Sequence, residues 1–290
     1  MTQCVPARHR ASKQALRLRL ACQASPSRAA LLWAIRQDNP DGHKNFPYNG
    51  AFFQRLGLYM AQELRFHRFS KLSPNAFDFR PRDLVVAGWT GRDRKALEHH
   101  VRELEALGVK RPSSMPVYYR IAAGNLTQNT HLQVLGADTS GEVEPVLFSM
   151  RDGLWLGIGS DHTDRKLETV SVAFSKQACH KIAGPHVWDC REIAAHWDKM
   201  ILRSWIVESE DAQPVLYQEG SLSQMRAPAD LIEGYAGANA LPVGTVMFCG
   251  TFPAIGGIRP AQRFLGELED PVLGRKLRVD YQIEPLPLVE

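Results

Sequence analysis

A chain of 290 residues is long enough for one large domain or two smaller ones with a sizeable buried core. With 44% hydrophobic and 23% charged residues it has an ordinary globular composition, and no apolar run approaches the ~18 residues of a membrane-spanning helix. The net charge of +4 excludes an acidic tail and is too small to point to nucleic acid. The cysteines, Cys4, Cys22, Cys179, Cys190 and Cys249, form no Cys-x-x-Cys pair and follow no secretory signal. Reduced thiols in the cytoplasm are therefore expected.

The first stretch stands apart. It carries Arg8, Arg10, Lys13, Arg17, Arg19, Arg28 and Arg36, and no acid precedes Asp38. Such a run reads as an organelle-targeting peptide, as a disordered basic arm, or as translation from an upstream start, since Met60 would open a plausible protein. Residues 1–59 are set aside as an extension, and 60–290 are taken as the folded domain. Segments 64–69 and 84–87 read as short strands. Gly88 to Gly91 turn into the clearest helix, in which Leu97, Val101 and Leu104 share a face and Gly108 supplies the stop. His100 lies at the edge of that face with Glu103 as its neighbour on the helix surface, a spacing that can orient an imidazole as a base. An exposed, charged helix flank reads the same way.

Segments 117–121 and 132–135 read as strands, the second leading into a hairpin. Its first strand carries Glu142 and Glu144, two apart and so on one face. Arg151, Asp152 and Gly153 make the turn, and 154–158 return, bringing Asp161 beside the first strand. Three converging carboxylates repel one another unless a cation sits between them, and a hard divalent ion is the natural occupant. A Glu-x-Glu pair is also how a plain solvated sheet face reads.

An alternating run follows at 170–174, then Lys176. Asp189 with Glu192 makes a capping box for a short helix carrying His196. Segments 200–206, 215–218 and 243–250 read as strands, 229–232 as a helical turn, and 270–274 as the turn of a last hairpin. Strands dominate, which predicts a β-rich α+β domain with few short helices. Cys179 beside His180 suggests a nucleophile and base, but adjacent residues rarely face each other.

Several of these segments together resemble the fumarylacetoacetate hydrolase superfamily over about residues 84 to 285. Residues 241–256, with Pro242, Gly244, Gly250, Thr251, Pro253 and Gly256, are similar to its closing P-G-D-x-I-x-T-G-T-P segment. Glu142-Val143-Glu144 resembles its metal-binding E-x-E, and Asp161 with Arg165 its N-D-x-S-x-R. Lys176 before Gly184-Pro185 resembles its active-site lysine, and His100 to Leu104 the H-x-x-E-L of its mobile lid. More narrowly, residues 87–93 and 159–163 resemble the uncharacterised DUF2848 family. The departures are Ser160 for the usual Asn, Pro145 for Leu, Arg120 for a lysine, and Phe252 within the closing segment.

The resemblance implies a mixed β-sandwich or β-roll, with a lid part at 84–120 and a metal-binding core at 130–285. It implies Mg²⁺ or Mn²⁺ on Glu142, Glu144 and Asp161, oxygen-only ligands that disfavour zinc. The reaction implied is hydrolytic carbon–carbon cleavage of a small 1,3-dioxo acid, with decarboxylation or tautomerisation on the same scaffold, or a non-catalytic binding protein, as alternatives. His100 and Glu103 would handle the proton. Lys176, with Thr251 and Gly250, would face a developing oxyanion, and Arg120 would clamp the substrate carboxylate. His162 and Arg165 are expected to be structural, with Arg165 holding Asp161 or Asp164. Phe252, Trp155, Tyr118 and Tyr119 form either an aromatic pocket or plain core. The partners expected are a small carboxylate substrate and a second copy of the chain, with neither nucleic acid nor membrane.

Overall fold

The computed structural model describes residues 62–68, 76–106 and 111–289. The extension at 1–59 and the helix stop at Gly108 lie outside the described residues. In chain order come strands β1 (Leu64–Arg68), β2 (Ala76–Phe79) and β3 (Asp83–Gly88), helix α1 (Arg94–Ala106), and strands β4 (Val117–Ile121), β5 (Leu126–Thr127) and β6 (His131–Leu135). Next are β7 (Thr139–Ser140), β8 (Val143–Met150), β9 (Gly153–Asp161) and β10 (Thr163–Asp164), then helices α2 (Arg165–Glu168) and α3 (Val172–Ala178). They are followed by β11 (Lys181–Ala183), β12 (His186–Asp189), α4 (Cys190–Ile193), β13 (Ile201–Val207) and β14 (Val215–Ser221). The chain closes with α5 (Pro228–Ala236), β15 (Thr245–Phe248), β16 (Arg263–Asp270) and β17 (Arg275–Leu286).

A 10-stranded mixed sheet runs β2-β1-β12-β9-β8-β15-β3-β4, with β11 joined to β9 and β5 to β11. A 5-stranded sheet, β14-β13-β16-β17-β6, packs against its middle. The β8–β9 hairpin is central, paired from Val143↔Ser160 to Met150↔Gly153. Strand β8 does not alternate, because both its faces are buried. Val143 and Leu147, with Ile158, pack towards Leu202, Phe264 and Val279 of the second sheet. Val146 and Phe148 pack on the opposite face with Phe66, Leu84 and Phe248. Pro145 is accommodated where β15 stops pairing, at Phe248↔Val146.

Two local expectations need correction. The alternating run at 170–174 is no strand. Ser171 accepts a hydrogen bond from the Phe174 amide and caps α3, burying Ser175 and Lys176 and leaving Phe174 65% exposed. The capping box is half formed: Asp189 caps α4 through the Arg191 amide, while Glu192 pairs with Arg275 at 2.8 Å. His196 lies beyond α4, in the 3-10 segment Ala194–Lys199. Among the described residues no helix is long and apolar enough to cross a membrane.

Candidate metal centre

The hairpin places three carboxylates together. Glu144 lies in β8 opposite Gly159, and the Asp161 amide donates to the Glu142 carbonyl at 2.9 Å, fixing the end of β9 against the start of β8. One carboxylate oxygen from each of Glu142, Glu144 and Asp161 falls within 4.8 Å of the others. Glu144 and Asp161 are buried and Glu142 is partly so.

Three cations surround them. Lys176, delivered by α3, donates to Asp161 Oδ2 and lies 3.3 Å from Glu142 Oε2. Lys181, on β11 directly opposite Asp161, lies 3.0 Å from its Oδ1 and also donates to the carbonyls of His162 and Cys179. Arg165, at the start of α2, pairs with Glu142 at 3.1 Å and Glu168 at 2.8 Å, and donates to Ser140. Burial alone would raise the Asp161 carboxyl, but Lys176 and Lys181 together hold it at about 2. Burial pushes Glu144 well up, helped by the charge of Asp161. Burial opposes the charge on Lys176, yet Asp161, Glu142 and Glu144 keep it firmly protonated. Glu142, Glu144, Asp161 and Glu168 thus stand against only Lys176, Lys181 and Arg165. The excess acid falls on Glu144, whose burial favours the protonated form, and a divalent cation in the cluster would favour its carboxylate. Three clustered oxygen ligands fit a hard divalent cation.

Gly250 serves this site through its backbone. Its amide donates to Glu144 Oε2 at 2.6 Å, and φ of +100° with Thr90 packed against it leaves no room for a Cβ. Gly250 therefore orients a carboxylate and also lines the cavity. Thr251 lines the cavity, but its hydroxyl donates to the Val143 carbonyl at 2.7 Å and accepts from Gln218, so it has no proton left for substrate. Buried Gln218 ties the sheets together here, accepting from the Val143 amide and Ser204 and donating to the Phe252 carbonyl.

Glu142, Glu144 and Lys176 line a cavity of about 950 Å³, with Asp161 buried behind Lys176, and Ala96 and Leu97 of α1, Tyr119, Phe252 and Ile258 line it as well. His100 and Glu103 belong to α1, but their side chains lie outside the described residues. Arg120 is not at the cavity. Neighbouring residues of a strand point to opposite faces, so where Tyr119 faces the cavity Arg120 turns away and pairs with Asp83 at 2.6 Å. Tyr118 packs on Tyr235 and Trp155 lies under Arg68, so of the four aromatics only Tyr119 and Phe252 line the cavity. His162 faces away from the carboxylates, held by Tyr281 and Thr139 at 2.9 Å each, and burial beside Lys181 lowers it to about 3. Arg165 holds Glu142 and Glu168 in place of Asp161 or Asp164. Burial raises the Cys179 thiol to about 11, which makes it a poor nucleophile. Sequence reasoning missed Lys181 and Gln218. A lysine inside the short apolar segment before Gly184 was the one available signal.

No curated protein matches the chain in sequence. Among solved structures, a hexagonal crystal form of 2-keto-3-deoxyarabinonate dehydratase aligns with TM-score 0.53 at 15% identity, over 75% of this chain and 79% of that one. 2-Keto-3-deoxy-D-arabinonate dehydratase complexed with magnesium and 2,5-dioxopentanoate aligns with TM-score 0.51 at 14% identity, over 90% of this chain and 89% of that one. Yeast ynq8, a fumarylacetoacetate hydrolase family protein, aligns with TM-score 0.50 at 14% identity, over 72% of this chain and 95% of that one. The β-rich fold is therefore the one these structures share, yeast ynq8 among them. The chain belongs to the DUF2848 family, a protein family of unknown function, which matches residues 87–281.

Proposed function

We propose that this protein is a magnesium- or manganese-dependent enzyme that hydrolyses a carbon–carbon bond in a small 1,3-dioxo acid of the acylpyruvate type. The convergence of Glu142, Glu144 and Asp161 around Lys176, with Glu142, Glu144 and Lys176 lining the cavity, carries this reading. The dehydratase of similar fold, complexed with magnesium and 2,5-dioxopentanoate, supports the pairing of a divalent ion with a 2-oxo acid. Glu142, Glu144 and Asp161 would hold the ion, which when bound supplies Lewis-acid polarisation of substrate oxygens. Lys176 is protonated and placed to offset negative charge growing on the substrate. His100, oriented by Glu103, takes the proton of a water as its oxygen bonds to the acyl carbonyl carbon. The bond between that carbon and the adjacent methylene breaks, its electron pair leaves as the enolate of the 2-oxo acid, and a proton returns to the methylene carbon. A carboxylic acid and a 2-oxo acid are the products. The proposal includes a homodimer in the cytoplasm, in keeping with unpaired Cys179, Cys190 and Cys249.

Product analysis tests this. Incubation with Mn²⁺ and an acylpyruvate is expected to bleach the enol absorbance and yield one carboxylic acid and pyruvate, and His100→Ala to slow it at least a hundredfold. Release of carbon dioxide would place the activity with the decarboxylases, and full activity in His100→Ala would remove His100 as the base. Sedimentation of the purified protein tests the dimer.

A further inference from the structure

We propose that the substrate taken by this site ends in an uncharged, apolar tail, a bulky alkyl or aryl group, and not in a second carboxylate. The inference rests on the reading of the site as a metal-dependent dioxo-acid centre. The cavity, about 950 Å³, is much larger than a four-carbon diacid needs, and is of the size that encloses drug-sized ligands. Its apolar lining includes Leu97, Tyr119, Val172, Phe252, Ala254 and Ile258. Among the described side chains, the cations that line it are Arg92, Arg165 and Lys176, and each is already engaged. Arg92 makes two hydrogen bonds of 2.8 Å to Asp198 and one of 2.9 Å to the Met225 carbonyl. Arg165 is taken by Glu142, Glu168 and Ser140, and Lys176 by Asp161 and Glu142. Asp93 and Glu168 also line the cavity and would repel a second negative charge. A distal carboxylate would lose its water and find no uncommitted cation among the described side chains of the lining, which is unfavourable. A hydrocarbon tail on the same wall gains about fourfold in affinity per methylene buried.

Calorimetric binding of 2,4-dioxo acids to the full-length, Mn²⁺-loaded protein tests this, with free Mn²⁺ followed separately by electron paramagnetic resonance. The acids share one head and differ in tail: methyl, butyl, hexyl, phenyl, and a carboxylate-ended chain of hexyl length. Affinity is expected to rise about three- to fourfold per methylene, and the carboxylate-ended acid to bind at least tenfold more weakly than its methyl-ended counterpart. Ile258 is 58% exposed and tolerates a charge. Ile258→Lys is therefore expected to retain Mn²⁺ binding and to shift the ratio at least tenfold towards the carboxylate-ended acid. A carboxylate tail that binds the wild type as well as the alkyl tail, an affinity independent of tail length, or an Ile258→Lys ratio equal to wild type would overturn the inference and leave the metal-centre reading standing. Failure of every acid to bind would overturn both.

Discussion

Asp161 is a carboxylate with an ammonium group on each side, and the two lysines do different work. Lys176 reaches it from α3 at the cavity, whereas Lys181 is wholly buried and spends its donors on Asp161 and two backbone carbonyls. Lys181 is therefore a fixed strut that holds one oxygen of Asp161 in place. Removing one partner of a buried pair leaves an uncompensated charge, which costs about 3–5 kcal/mol. Lys181→Met, similar in length, is expected to lose about that much stability in urea unfolding. An unchanged midpoint would show that Lys181 does not carry this load. Glu142, Glu144, Asp161 and Lys176 were legible in the sequence because Glu144 lies on β8 with Glu142 just ahead of it, Asp161 closes the same hairpin, and all four sit in recognisable motifs. Lys181 and Gln218 were not. Their partners come from strand pairing, which no local pattern reports.

At the scale of the element, α3 shows how a local pattern misleads. Val170, Val172 and Phe174 alternate with small residues, as a strand would, yet Val170 and Phe174 are exposed. Ser171 decides the outcome, because its hydroxyl satisfies the Phe174 amide and starts a helical turn. That turn places Lys176 with its ammonium on Asp161 and Glu142. Ser171→Ala is expected to lower stability by about 1 kcal/mol and to reduce turnover more than metal affinity. Thermal unfolding and a metal titration on the same preparation check this, and unaltered stability would remove the cap from the account. The β8–β9 hairpin, by contrast, was read correctly because turn chemistry and length both act locally.

Over the whole molecule, the smaller sheet fixes the larger one from behind, and Asp270 is one of its anchors. Its carboxylate accepts from the Val272 and Leu273 amides at 3.1 Å, lies 3.2 Å from Arg275 and is 3.0 Å from His196. Burial alone would raise its carboxyl, but His196, the Leu273 amide and Arg275 hold it below the usual carboxylate range. The unfolded chain therefore binds the proton first, at a carboxylate value of about 3.9. The stabilisation is complete above that pH and fades as the pH falls through the depressed value. Asp270→Asn is expected to be less stable than wild type at pH 7, with the gap narrowing on acidification in urea titrations. Parallel curves would contradict this.

The two-sheet architecture was legible only as a β-rich class, since the order β2-β1-β12-β9-β8-β15-β3-β4 depends on long crossovers that leave no local trace. What that order achieves is to put both strands of the acidic hairpin in the interior, flanked by β12 and β15. The most direct measurement is a Mn²⁺ titration of the metal-free protein by electron paramagnetic resonance, beside Glu144→Ala. A single ion bound per chain by wild type and none by the variant is the expected result. Wild type that binds no Mn²⁺, or a variant that binds it equally well, would contradict the account.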